Sequence, residues 1–127
     1  IELVSNLYPE KHISTIPFPR ITYAESMEKY GSDKPDLRTN KEDANELAFC
    51  WILDFPMFEK TDEGELQAVH HPFCSIKPED KEKFMKGEDM FSIRANAYDL
   101  VLNGYELSSG SIRIHLTFSK FLRKRKR

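Results

Sequence analysis

Leu47–Phe55, LAFCWILDF, is nearly continuous apolar sequence rich in aromatic and branched side chains, and Pro56 closes it. A run of that length and composition predicts a central β-strand covered on both faces, and the rest of the fold must be built around it. Thr61–Glu65, TDEGE, reads as a turn, and Leu66–His70 as a second strand returning beside the first as its hairpin partner. Ala95–Leu107 and Ser111–Phe118 predict two further strands.

Helices are signalled by their ends. Pro17 and Pro19 set an extended entry, and Thr22 and Glu25 then have the spacing of a capping box. Ala24, Met27 and Tyr30 form a candidate apolar stripe before Gly31, the expected stop. Pro78–Gly87, PEDKEKFMKG, has a starting proline, early acids, late lysines and a closing glycine. With only Phe84-Met85 apolar, it predicts a surface helix. Ser32–Asn45 is polar and aperiodic, hence loop. The fold class is therefore α+β, a mostly antiparallel sheet flanked by helices.

The chain of 127 residues, 39% hydrophobic and 12% aromatic, has room for the core of one domain. No apolar run reaches the roughly 18 residues of a membrane span, and the first residues lack a signal-peptide pattern. Residue 1 is Ile and the first Met is Met27, so the chain reads as a piece of something longer. Cys50 and Cys74 lie in apolar surroundings outside any C-x-x-C pair, which predicts buried thiols in a reducing cytoplasm. The last eight residues hold six basic side chains and no acid, leaving 1–119 with thirteen basic against twenty-one acidic residues, a net −8. Such a tail could meet RNA phosphates, but it lacks the interleaved aromatics of single-strand binders, and a solvated end is the plainer expectation.

The chemistry concentrates in Tyr98–His115, YDLVLNGYELSSGSIRIH, which spaces Asp99, Glu106 and Arg113 at intervals of seven. An odd interval along one unbroken strand would send Asp99 and Glu106 to opposite faces. Asn103-Gly104 and Ser108-Ser109-Gly110 can absorb the mismatch as a bulge or bend. Two acids and an arginine could then face one cavity suited to a metal-bound polyphosphate beside a carboxylate. His70 and His71, adjacent on a strand, point apart and make a poor shared metal site.

Four stretches in order, FPRITYAESMEKYGSDKPDLR (18–38), DFPMFE (54–59), AVHHPF (68–73) and NGYELSSGSIRIH (103–115), closely resemble the catalytic domain of bacterial-type aspartyl-tRNA synthetases, class II enzymes. The resemblance covers roughly 17–115. It implies a sheet-based active site and a chain, 1–127, that is one partial catalytic domain. The domain usually inserted after Arg38 is missing, and 116–127 diverges as a basic tail. It implies ATP and Mg²⁺ as cofactors and L-aspartate and tRNA(Asp) as partners, with tRNA(Asn) left open, in a cytoplasmic homodimeric parent. By resemblance His70, His71 and Arg113 hold aspartate, Glu106 and Arg113 hold ATP, and Asp99, Glu106 and Ser109 serve the metal; no residue is assigned as catalytic. Ser108-Ser109 stands where the bacterial pattern has two further glycines. Gly31-Ser32-Asp33-Lys34 is a family signature without the glycine spacing of a phosphate loop. The motifs carrying the remaining ATP contacts are not in the chain, so the expectation is that it is inactive alone. The rival is a non-catalytic aspartate-binding or interaction module on the same fold.

Overall fold

The computed structural model describes residues 1–69 and 73–114. Their order is α1 (Glu2–Leu7), β1 (His12–Ile13), β2 (Arg20–Thr22), α2 (Tyr23–Tyr30), β3 (Glu46–Leu47), β4 (Phe49–Leu53), β5 (Phe58–Lys60), β6 (Leu66–Ala68), α3 (Lys81–Lys86), β7 (Ala97–Leu102) and β8 (Tyr105–Ser111). Short 3-10 turns at Pro78–Asp80 and Met90–Ser92 flank α3. This is an α+β fold whose chain divides into two compact units. The first holds Ile1–Leu53 and Tyr98–Gly110; the second holds Asp54–Ala97 and the described residues from Ser111.

In the first unit a four-stranded sheet runs β2-β4-β7-β8. The apolar run is its interior strand, parallel to β2 and antiparallel to β7. Opposed residues share a face, so Ile21, Cys50, Ile52, Asp99 and Val101 line one side and Arg20, Trp51, Leu53 and Tyr98 the other. Cys50, Ile52 and Val101 are fully buried and form the core. The opposite side is only half covered, and Arg20, Trp51, Leu53 and Tyr98 border an open hollow of about 280 Å³ there. The expected burial on both faces thus holds for one. Burying one face of a sheet is enough when the other is left to part-exposed aromatics.

The α2 ends are as the sequence predicts. Thr22 Oγ1 accepts from the Glu25 N–H while the Glu25 carboxylate accepts from Thr22, and Gly31 closes the helix at φ 66°. Its apolar stripe is not buried: Ala24, Met27 and Tyr30 are exposed. The helix instead turns Ser26 inward, where Ser26 Oγ donates to Ser32 O at 2.6 Å. Beyond Arg38 a short loop returns directly to β3. Buried Glu46 holds it, accepting from Thr39 N (2.9 Å), Asn40 N (3.1 Å) and Ser14 Oγ (2.9 Å). Those backbone bonds lower the Glu46 carboxyl below its usual range.

Two strand expectations are corrected. Leu66–Ala68 pairs with β5, in the register Phe58↔Ala68, and not with the apolar run. Both edges of that run are already taken by β2 and β7, and the Thr61–Glu65 turn folds back onto the residues just before it. Ala95–Leu107 is likewise not one strand. Asn103 (φ 49°) and Gly104 (φ 86°) make the paired left-handed conformation of a two-residue hairpin, and the chain reverses there. Of the expected Ser111–Phe118 strand, the part from His115 lies outside the described residues. Within them, Arg113 makes an isolated bridge to Cys74.

The second unit buries Phe55, Met57, Ile76, Phe84 and Ile93. Phe58 stacks on Phe84 at 6.1 Å, fastening the β5-β6 hairpin to α3, so the surface helix keeps one anchored ring while Met85 is exposed. Cys50 and Cys74 are free and buried, as expected, and burial raises both thiols, Cys50 to about 11.

Candidate functional site: an acid pair on the β7–β8 hairpin

The hairpin resolves the odd spacing of Asp99 and Glu106. Counting outward from the Asn103-Gly104 turn, Val101 comes opposite Glu106, and Asp99 lies two residues from Val101 on the same face. The two carboxylates are thus diagonal neighbours on adjacent strands, the separation at which cross-strand charges interact. At Asn103-Gly104 a full reversal stands where the sequence suggested a bulge or bend.

The hairpin tip is pinned. Asn103 Oδ1 accepts from Ala48 N and its Nδ2 donates to Glu46 O, both at 2.9 Å. Against Gly104 lies the 31–38 loop: a side chain there would meet Lys34 O at 3.7 Å and Asp36 Cβ at 3.8 Å. That loop carries Asp33 and Lys34 to the acids, and Lys34 Nζ sits 4.0 Å from Glu106 Oε2. Sequence reasoning marked the GSDK run and gave it no role at this site. Its fully buried Pro35 ties the loop down, a signal visible beforehand only as one proline inside a polar stretch.

Asp99 faces inward beside buried Ile52. Burial first, then the charges of Glu106 and Asp33, push its carboxyl up to about 6, and Lys34 pulls it only partly back. At Asp99 burial and two neighbouring acids outweigh the pull of Lys34, an electrostatic setting that suits a bound cation. Among the described residues no group of three or more His, Cys, Asp or Glu could hold a metal by itself. A pair of carboxylates still fits Mg²⁺, which takes one or two from protein and fills its octahedron with phosphate oxygens and water.

Because the folded value lies above the ordinary aspartate value of about 4, protonation of Asp99 stabilises the fold. That contribution is complete below pH ~4 and is lost as the pH rises through about 6. Side-chain carboxyl NMR is expected to show Asp99 titrating near 6 and moving down in Glu106→Gln. A midpoint at the ordinary value would refute the arrangement.

Ser109 is exposed on β8. Arg113 belongs to the second unit, exposed, bridged to Cys74 and opposing the upward shift of that thiol. His70 and His71 lie outside the described residues. Gly110, the retained glycine of the Ser108-Ser109-Gly110 stretch, packs against Tyr98: a Cβ there would stand 2.6 Å from Tyr98 Cε2.

A family model described as tRNA synthetases class II (D, K and N) matches residues 2–123. The aspartate–tRNA(Asp/Asn) ligase of Synechococcus sp. (strain RCC307) is 54% identical over 70 residues, 53% of this chain and 12% of that protein. The aspartate–tRNA ligase of Bacteroides fragilis (strain YCH46) is 51% identical over 74 residues, 58% and 12% respectively. The aspartate–tRNA(Asp/Asn) ligase of Symbiobacterium thermophilum is 53% identical over 75 residues, 55% and 13%. The matched stretch spans about 12% of the length of these curated relatives. The chain is thus similar to the bacterial aspartate ligases, and with nearly all of it matched it belongs to the class II tRNA synthetases of the D, K and N group.

Proposed function

We propose that the chain forms part of the catalytic domain of an aspartate–tRNA ligase, which activates L-aspartate with ATP and Mg²⁺ and transfers it to tRNA(Asp). The observation that carries this is the convergence of Asp99 and Glu106 on one hairpin face, in a setting that suits a bound cation, in a chain over half identical to aspartate–tRNA ligases where it matches them. Two of those relatives are named for both tRNA(Asp) and tRNA(Asn), which supports tRNA(Asn) as a second acceptor. A cytoplasmic homodimer is the setting we propose for the parent enzyme. No helix among the described residues is long and apolar enough to cross a membrane.

In this proposal Asp99 and Glu106 hold the cation, with the Ser109 hydroxyl as an additional oxygen. Bound Mg²⁺ supplies charge neutralisation on the polyphosphate. The side-chain carboxylate of the substrate goes to Arg113, and His70 and His71 are assigned to aspartate binding by resemblance. Guanidinium answers carboxylate with two parallel hydrogen bonds, whereas asparagine would leave that donor pair poorly matched. Arg113 also serves the nucleotide. Attack of the substrate α-carboxylate on the α-phosphate, which breaks the bond to the β-phosphate and releases pyrophosphate, then needs position and charge stabilisation, with no covalent enzyme intermediate.

The test is a chimera of a bacterial aspartate–tRNA ligase carrying this chain in place of the corresponding segment. It is expected to retain aspartate-dependent ATP–pyrophosphate exchange, while the 127 residues alone show none. A chimera that folds as the parent does, by circular dichroism and sedimentation, yet shows no exchange would sink the proposal.

A further inference from the structure

Lys34 has a fixed backbone and a free head. Its N–H donates to Ser32 Oγ at 3.0 Å, Ser32 O is held by buried Ser26 Oγ at 2.6 Å, and the next residue, Pro35, is fully buried. The carbonyl of Lys34 lies against Gly104 at the hairpin tip. The side chain, by contrast, is about half exposed, 47% against 37% for Glu106. At 4.0 Å the ammonium is too far from Glu106 Oε2 for a hydrogen bond, so it acts on the acids by charge alone. Arg38, the loop's other cation, is engaged by Asp36, donating from Nε at 3.0 Å and from Nη2 at 2.7 Å.

We infer that Lys34 is the internal counter-ion of the Asp99–Glu106 pair, a positioning residue that takes the cation's electrostatic place beside the acids and withdraws when a divalent cation binds. The inference rests on the metal–nucleotide role proposed for that pair. Loop anchoring is done by Ser26, Ser32 and Pro35, so the ammonium is spare for this task. A single charge at the edge of solvent holds the pair loosely, and a doubly charged ion placed between the acids outcompetes it. The side chain's exposure gives the displaced ammonium a path into water, towards any phosphate brought in with the ion.

The experiment is a Mn²⁺ titration of the full chain at low ionic strength, read by paramagnetic broadening of amide signals. Wild type is compared with Lys34→Met, Lys34→Gln and Lys34→Arg. Broadening is expected first around Asp99 and Glu106. Removing the competing charge is expected to tighten Mn²⁺ binding roughly threefold to tenfold in both neutral variants, with Lys34→Arg close to wild type. A residue needed only for loop structure would disturb the amide spectrum of the 31–38 loop without tightening Mn²⁺ binding. Equal affinity in all four proteins, with broadening at the acids, overturns the role of Lys34 and leaves the metal pair standing. Absence of broadening at Asp99 and Glu106 in every protein overturns the metal role, and this inference with it. Two neutral variants of different polarity guard against one failing to fold.

Discussion

Asp80→Ala is expected to lower the unfolding free energy by about 3 kcal/mol, measured by urea denaturation at neutral pH. Asp80 is 4% exposed and sits where the Pro78–Asp80 turn runs into α3. Its side chain does not cap that helix. It reaches instead to Arg94, accepting from the backbone N–H and from Nε at 2.9 Å through Oδ2, and from Nη2 at 3.3 Å through Oδ1. Arg94 lies between Ile93 and Ala95, both fully buried, so the carboxylate fixes the segment that closes the second unit's core. Asp54 approaches the same guanidinium at 3.6 Å and is itself paired with Lys77 at 2.6 Å. Alanine would strand a backbone N–H and leave the part-exposed Arg94 guanidinium with only the more distant acid. Asparagine, which keeps an acceptor for the N–H, should lose about half as much.

The pH dependence separates this from a packing effect. Hydrogen bonds from Arg94 hold the Asp80 carboxyl below the usual aspartate range. A depressed folded value contributes stability that is present above the unfolded value of about 4 and disappears as the pH falls through the folded one. Wild type should therefore lose its advantage over Asp80→Ala in acid. A gap between the two that stays constant with pH would sink the ion-pair account.

What the sequence disclosed, and what it withheld, follows from the range of each signal. Thr22, Glu25 and Gly31 act within a few residues, so the ends of α2 were legible, as was the apolar run's place inside a sheet. Strand partners were not. Leu66–Ala68 matches several apolar neighbours by pattern, and only the closure of the Thr61–Glu65 turn selects β5. At Asn103-Gly104 the turn chemistry was on the page, but reading Ala95–Leu107 as one strand reduced a reversal to a kink. That error hid why Asp99 and Glu106 share a face. Glu46, Asp80 and Ser26 look like ordinary polar residues in the sequence. Their burial depends on hydrogen-bond partners met only once the chain folds back, 6 residues on for Ser26–Ser32, 14 for Asp80–Arg94 and 32 for Ser14–Glu46. Lys34 and Asp33 escaped for the same reason, since their relation to the acids exists only once the loop lies on the hairpin tip.

Gly110→Ala is expected to cost about 2 kcal/mol, because one added methyl has nowhere to go. A Cβ at 110 would stand 2.6, 2.7 and 2.8 Å from Cε2, Cζ and Oη of Tyr98, distances real Cβ atoms do not tolerate. The backbone at Gly110 is not in the left-handed region, so the penalty is steric and local. Relief requires the Tyr98 ring to swing or β8 to part from β7. The ring is set edge-on against Trp51 at 6.0 Å and 78°, and a swing gives up that contact. Trp51 is the chain's one tryptophan, so its fluorescence reports displacement of Tyr98 directly. A double-mutant cycle decides the cause: in a Tyr98→Ala background Gly110→Ala should cost less than ~0.5 kcal/mol, since the colliding ring is gone. If the penalty is as large without the ring as with it, the close approach of Tyr98 is not what requires glycine at 110. The retained glycine beside the two serines would then owe its place to whatever meets β8 from its exposed side.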